Sequence, residues 1–346
     1  MGPGVAVVGS GYWGENLVRN FHALGVLRAI CDHDPERRAR QPETLPGVTF
    51  TGAFDEVLAD RAVHAVAIAT PPATHYALAR AALERGRDVF VEKPLASSVG
   101  ECEELIARAD RGGRILMVDH ILRYHPAVKK LQGLVTDGAL GEIRYLYSNR
   151  LNIGKLRKEE NILWSFAPHD ISVILALVGR PPVEVRAFGE AYLQERVYDT
   201  TVTSLAFSRK LKAHTFVSWL HPFKEQKLVV VGSRNMAVFN DLDEEKLWLY
   251  PHTIAWVGEI PVASKAERIA VPLAKEEPLR VSCAHFLDCV KTRKTPVTDG
   301  REGLAVLRVL QAAQASLDAA TGVGNRRDQA KGDQLCPPAT QGRREE

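Results

Sequence analysis

Apolar residues follow two rhythms along this chain, and the change comes near residue 141. Before it, short unbroken apolar runs at 5–8, 26–31, 65–70, 88–92 and 114–119 alternate with stretches in which apolar residues recur every three or four positions. Continuous β-branched runs suit parallel strands buried on both faces, and the spaced stretches suit helices laid over them. Trp13, Leu17, Phe21 and Leu24 mark the inward face of the first helix. Further helices are predicted from about 34, with Pro35 in the first position, and at 54–58, 76–84 and 99–109. This alternation predicts a sheet of about six parallel strands.

After a crossing at 120–126 and a short helix at 127–135, strands follow one another at 143–149, 183–191, 201–207, 213–219, 227–232, 236–240 and 246–250. One helix interrupts them at about 169–177. Several alternate with period two, as in Thr201-Val-Thr-Ser-Leu-Ala-Phe207, so an antiparallel or mixed sheet with one covered face and one free face is expected. Helices at 279–290 and 303–317 close the fold by returning toward the first domain. From Gly322 the chain is polar and is expected to be disordered. The predicted class is therefore α/β: residues 1–120 form a doubly wound parallel domain, 121–321 an α+β domain with a large open, mainly antiparallel sheet, and 322–346 a tail. The uncovered sheet face invites a second copy, as a homodimer or a tetramer of dimers.

Composition narrows the function classes. A chain of 346 residues, 45% hydrophobic and 25% charged, has room for two globular domains. A net charge of +3 without a basic stripe argues against nucleic acid. Cys31, Cys102, Cys283, Cys289 and Cys336 are odd in number and lack C-x-x-C spacing, which fits reduced thiols. No metal site is expected, because His120 and His125 lack a nearby carboxylate pair. No apolar run reaches the length of a membrane span, and a cytoplasmic location is expected.

The chemistry gathers where predicted strands end. Gly9, Gly11 and Gly14 follow the first strand with the spacing G-x-G-x-x-G. The first permits a tight turn, the second a close backbone approach to a pyrophosphate, and the third close packing of helix on strand. The helix that follows offers N–H groups and a positive dipole end to phosphates. Asp32 ends the second strand, where a carboxylate accepts from both ribose hydroxyls and repels a 2′-phosphate, so NAD is favoured over NADP. The loop Thr70-Pro-Pro-Ala-Thr-His75 and the sequence Glu92-Lys93-Pro94 end two further strands at the same edge. His169 and Asp170 follow Pro168, which suits a helix's first turn and so puts His169 at a helix start facing the cleft. A neutral imidazole there takes a proton near neutral pH. Lys155, Arg157 and Lys158 bring cations close by. Arginine can grip a diphosphate with paired hydrogen bonds, although Glu159 and Glu160 allow a solvated charged loop instead.

Together, Gly9-x-Gly11-x-x-Gly14, Asp32, the 70–75 loop, Glu92-Lys93-Pro94 and His169-Asp170 resemble the Gfo/Idh/MocA oxidoreductase family, over about residues 4–320. The resemblance implies a Rossmann domain holding NAD, then an open-sheet domain, with nicotinamide and a sugar meeting between them. Lys93 and His169 inherit the catalytic roles. Gly9, Ser10, Gly11, Tyr12, Trp13, Gly14, Asp32, Thr70, Pro71, His75, Glu92 and Lys93 are expected at the cofactor. Lys93, Arg123, Asn149, Lys155, Arg157, Ser165 and His169 are expected at the substrate. Many members carry an aspartate four residues before the histidine, where this chain has Ser165, so the choice of base stays open. The 149–169 segment is most similar to members that oxidise the C3 hydroxyl of UDP-N-acetylglucosamine or its uronic acid, ahead of a 3-aminotransferase in lipid A or surface-polysaccharide synthesis. Inositol-type polyol oxidation, a redox-neutral NAD-dependent glycosidase and a non-catalytic nucleotide sensor are the alternatives.

Overall fold

The computed structural model of the protein describes residues 2–39, 45–154, 156–158 and 160–320. Its first half alternates as the apolar rhythm predicts: β1 (Val5–Val8), α1 (Gly14–Ala23), β2 (Leu27–Cys31), α2 (Pro35–Ala39), β3 (Thr49–Thr51), α3 (Phe54–Ala59), β4 (Ala65–Ile68), α4 (His75–Glu84), β5 (Asp88–Val91), α5 (Val99–Gly112) and β6 (Leu116–Val118). The six strands are parallel and ordered β3-β2-β1-β4-β5-β6. Strand order reverses at β1, and the crevice beyond its carboxyl end is where such sheets take ligands. The pattern above has no counterpart of β3, a three-residue edge strand with two exposed positions and thus no apolar run to read.

The second half contains α6 (Pro126–Thr136), β7 (Ile143–Leu151), α7 (Ile162–Val178), β8 (Glu184–Glu190), β9 (Thr200–Ala206), β10 (Lys212–Ser218), β11 (Glu225–Gly232), β12 (Met236–Asn240), β13 (Leu247–Tyr250), β14 (Thr253–Val257), β15 (Ile260–Ser264), β16 (Ile269–Ala270), α8 (Pro278–Thr292) and α9 (Gly300–Ala320). Eight strands form one sheet ordered β16-β13-β12-β11-β7-β10-β9-β8, with only the β7–β10 pair parallel. Leu146, Ser148 and Arg150 of β7 are buried on the α7 side, whereas Tyr145, Tyr147 and Asn149 face the other way. On that outer face Tyr147 stacks on His214, and Arg268 lies 3.9 Å over the Trp248 ring.

Two expectations change here. The helix predicted from His169 begins at Ile162, so Pro168 lies inside α7 rather than in its first turn. The Asn161 side chain caps the helix by accepting from Trp164 N–H, and Ile162, Leu163, Ala167 and Ile171 keep one face in the core. That burial outweighs the hydrogen bond a proline cannot make. The β14–β15 hairpin was not expected; Pro261 argues against a strand there, and all ten residues are exposed on a two-stranded ribbon.

The closing helices divide their work. Phe286 of α8 meets Phe21 of α1 and Phe90 of β5 edge to face, at centroid distances of 6.5 and 5.5 Å, so α8 completes the layer over the first sheet. α9 begins against β6 and runs on to β8, where Ser316 Oγ accepts from Ala187 N–H at 2.9 Å. It therefore ties both sheets together. Among the described residues no helix is long and apolar enough to cross a membrane.

Candidate functional site

The nucleotide end is built by the backbone. Gly9 sits at φ +88°, a conformation that favours glycine. A Cβ on Gly14 would lie 1.9 Å from the Gly9 carbonyl oxygen, so α1 approaches β1 more closely than any side chain permits. Ser10 is buried, Tyr12 is exposed and Trp13 is half-buried. Asp32 Oδ2 accepts from Ser10 N–H (2.7 Å) and Ser10 Oγ (2.9 Å), while Oδ1 accepts from Asp34 N–H (3.0 Å). Burial by itself would raise this carboxyl, but those bonds and Arg37, 3.6 Å away, hold it below the usual range. Asp32 is thus an anion at the mouth of the glycine turn. Glycines without Cβ atoms and a fixed carboxylate at the strand end fit a dinucleotide's pyrophosphate and ribose.

The next two strand ends are pinned to each other. His75 is buried, with Nδ1 2.7 Å from Pro94 O and Nε2 2.8 Å from Thr70 O. Each ring nitrogen lies against a carbonyl oxygen and the neutral imidazole donates to one of them at a time, so His75 bridges the loop after β4 and the loop after β5 instead of facing the cleft. Thr70 Oγ1 lies 2.6 Å from Thr74 Oγ1, and Pro71 leads into the turn before α4. Glu92 and Asp119 end neighbouring strands, and Ser282 donates to Asp119 at 2.8 Å. Burial, with Asp119 beside it, pushes Glu92 well above the ordinary carboxyl range.

At the other wall, Lys93 Nζ donates to the Ser165 carbonyl oxygen at 3.0 Å. Ser165 therefore engages Lys93 through its backbone, which any residue at that position provides. Burial lowers the Lys93 ammonium; Glu160 opposes that and Arg157 adds to it, so Arg157 and Glu160 lie within electrostatic reach of the lysine. Arg157 Nη1 pairs with Glu160 Oε1 at 2.7 Å. Lys155 and Glu159 fall outside the described residues. His169 lies one turn after Ser165 on α7; burial, then Arg150, Lys93 and His120, hold its imidazole well below the usual range. It is neutral near neutral pH.

Two substrate candidates stand elsewhere than expected. Asn149 donates to Glu225 at 2.8 Å on the outer face of the sheet, because strand side chains alternate and Arg150 takes the inner face. Arg150 is the residue that sequence reasoning missed. Its guanidinium binds Asp170 at 2.7 and 3.3 Å, Ser148 donates to the same carboxylate at 2.5 Å, and its charge bears on both Lys93 and His169. Period-two counting from Leu146 could have found it. Arg123 is buried, with Nη1 3.6 Å from Glu302 of α9, and faces the seam between the two halves.

A family profile described as "Oxidoreductase family, NAD-binding Rossmann fold" matches residues 4–120, and one described as "GFO/IDH/MocA C-terminal domain" matches residues 128–238. The UDP-N-acetylglucosamine 3-dehydrogenase of Acidithiobacillus ferrooxidans is 28% identical over 323 residues, covering 90% of this chain and 96% of that protein. Its solved structure superposes with a TM-score of 0.80 over 91% of this chain and 97% of that one. A solved oxidoreductase structure from Magnetospirillum magnetotacticum MS-1 is 30% identical with a TM-score of 0.79, over 90% of this chain and all of that one. Levoglucosan dehydrogenase, solved with NADH and levoglucosan, shares the fold at 18% identity and a TM-score of 0.79, over 92% of this chain and 98% of that one.

Proposed function

The chain belongs to the Gfo/Idh/MocA family of NAD-binding oxidoreductases, and from that premise we propose that it oxidises the C3 hydroxyl of UDP-N-acetylglucosamine to the 3-keto sugar nucleotide. The observation that carries the reading is Lys93, fixed on the Ser165 carbonyl one turn from a neutral His169, with Arg157 in electrostatic reach. NAD, when bound, supplies the acceptor for the hydride that leaves C3. His169 takes the hydroxyl proton, and its depressed basicity keeps it able to do so near neutral pH. Lys93 donates a hydrogen bond to the same oxygen and favours the carbonyl as it forms. Ser165 orients Lys93, and Arg157 and Lys158 face the diphosphate of the sugar nucleotide. Ser10 holds Asp32 at the ribose, and the 70–75 loop, clamped by His75, closes over the nicotinamide end.

The same reading puts the enzyme in the cytoplasm, where NAD and nucleotide sugars are, and ahead of a 3-aminotransferase that consumes the ketone. It also assigns the outer sheet face and the exposed Ile254, Trp256 and Val262 of the β14–β15 ribbon to a homodimer or a tetramer of dimers. Trp256→Ser is expected to shift the protein to a smaller species in light scattering with little change in turnover; an unchanged mass removes the ribbon from the interface.

The test is NADH absorbance with UDP-N-acetylglucosamine, its uronic acid or myo-inositol, each with NAD, a 3-aminotransferase and an amino donor. A signal with UDP-N-acetylglucosamine supports the proposal. A signal with the uronic acid alone moves the substrate to a C6 carboxylate, and one with inositol alone makes the enzyme a polyol dehydrogenase. Silence with all three overturns the reading in favour of a redox-neutral glycosidase or a nucleotide sensor.

A further inference from the structure

The first turn of α7 supplies the acceptor for Lys93, yet its own helical bonding is incomplete. In a regular helix each carbonyl accepts from the N–H four residues on. Pro168 has no N–H, so the carbonyl of Trp164 is left without its helical donor, and a proline ring crowds that same oxygen. Trp164 immediately precedes Ser165, whose carbonyl takes the Lys93 ammonium at 3.0 Å. The N–H groups of this turn lack helical partners as well, as at any helix start.

Contacts from outside the helix hold the turn instead. Ile162 N–H donates to Tyr198 O at 2.9 Å, and the Asn161 cap accepts from Trp164 N–H at 3.3 Å through Oδ1 and from Ser165 N–H at 3.1 Å through its carbonyl. A further anchor comes from the last helix. Gln314 Oε1 of α9 accepts from Asn161 Nδ2 at 2.9 Å and from Trp164 Nε1 at 3.0 Å. One amide oxygen thus grips both the cap and the third residue of the turn. The Trp164 ring packs against the apolar cores of both domains, so the tie is made where the two halves meet. Gln311, one turn earlier on α9, donates to Ser97 O instead.

We propose that Gln314 and Pro168 are positioning residues for Lys93: Pro168 turns the first carbonyls of α7 away from regular helical bonding, and Gln314 holds that turn against the Lys93 ammonium. The inference rests on Lys93 being the donor to the reacting oxygen in the oxidation above. Helices bend at a proline, and the carbonyls it crowds tilt off the axis toward other donors. An ammonium has three N–H bonds, and a carbonyl that takes one of them limits where the other two can point. The same bond favours the charged form and so opposes the burial that lowers this lysine. The charged and titratable groups that face Lys93 are Glu92 beside it, Arg150 of β7, Arg157 and Glu160 ahead of α7, His75 of α4 and His169. Replacing Pro168 or Gln314 by an uncharged residue alters none of those charges. A change in the titration of Lys93 then reports its carbonyl contact.

The experiment uses the full chain. Pro168→Ala returns an N–H to the helix and is expected to leave Tm unchanged or higher, because alanine suits a helix interior, while kcat falls by about tenfold and KM stays within about threefold. Gln314→Leu removes the acceptor of Asn161 and Trp164 and should lower kcat by about tenfold as well. Gln314→Glu keeps an acceptor oxygen in that place and should recover most of the loss. Gln311→Ala, which leaves the tie intact, should keep wild-type turnover. Trace acetylation of the substrate-free protein with acetic anhydride over a series of pH values, with the Lys93 peptide read by mass spectrometry, needs no sugar at all. The Lys93 midpoint should move down by about one pH unit in Pro168→Ala and in Gln314→Leu, since a weakened acceptor disfavours the ammonium. That shift supports the inference even if no tested sugar is oxidised, an outcome that would sink the substrate reading alone. Midpoints unchanged in both variants overturn the inference. So does unchanged turnover of both variants on a sugar that the wild type oxidises, or a loss in Gln314→Leu that Gln314→Glu does not recover.

Discussion

The nucleotide end and the reacting end of this cleft are assembled in different ways. Ser10 and Asp32 are 22 positions apart, joined by one helix and one strand, and the turn between them is set by glycines. At the reacting end His120 and Glu302 are 182 positions apart, Lys93 meets Ser165 across 72, and Arg150 meets Asp170 across a sheet–helix interface. The first end is a backbone device, whose tolerance is measured in missing Cβ atoms. The second is a convergence of side chains, each placed by the packing of its own element. Their electrostatics differ accordingly: Asp32 is kept ionised by N–H donors, while Lys93 and His169 are both pushed toward their neutral forms by burial.

If the two ends are separable, each can be broken without the other. Lys93→Ala should cut kcat by about 10²- to 10⁴-fold and leave the Kd for NAD within about threefold, as measured by fluorescence titration. Loss of both together would show that the ends act as one unit. Gly14→Ala breaks the other end: its methyl group would meet the Gly9 carbonyl at 1.9 Å, so the turn must open. An overpacking cost of about 1–3 kcal/mol implies about 5- to 150-fold weaker NAD binding, with the Lys93–His169 wall intact. Asp32→Ala should weaken NAD by about tenfold while improving tolerance of NADP. A wild-type preference for NADP would refute the role given to that carboxylate.

The smallest effect sharpens the electrostatic contrast. Glu92 has a folded pKa above its unfolded value, so the folded state holds this proton more tightly. Its contribution to stability is complete below the ordinary carboxyl range and is lost as pH rises through that range toward the folded value. Asp32 has the opposite sign: its contribution is present at neutral pH and lost as pH falls. Glu92→Gln should therefore raise Tm at pH 7 to 8, with the gain fading toward pH 4. A gain that grows on acidification would reverse the assignment.

The pattern of the chain was most legible where structure is local. Val5–Val8, the glycine spacing and Asp32 state their geometry within one turn of helix or one strand, so strand, turn and carboxylate could be read directly. The edge strand Thr49–Thr51 and the β14–β15 ribbon were not legible, since neither buries a continuous face. Pro168 misled for a related reason. A proline reads as a helix start in isolation, but the core contacts of Ile162, Leu163 and Ile171 extend α7 through it. Asn149 and Arg150 are neighbours in sequence and lie on opposite faces of β7, a distinction that depends on which face α7 covers.

By itself, then, the sequence determined the class of fold, the dinucleotide turn and the presence of Lys93 and His169 at strand and helix positions. These follow from backbone sterics and short-range periodicity, which act over a few residues. Tertiary structure alone decided that Ser165 serves through its carbonyl, that Arg150 replaces Asn149 on the inner face, and that Glu302 reaches His120. Those contacts exist because α7, α9 and two sheets pack at distances set by buried apolar volume and by glycines at the close approaches, information distributed over the whole chain.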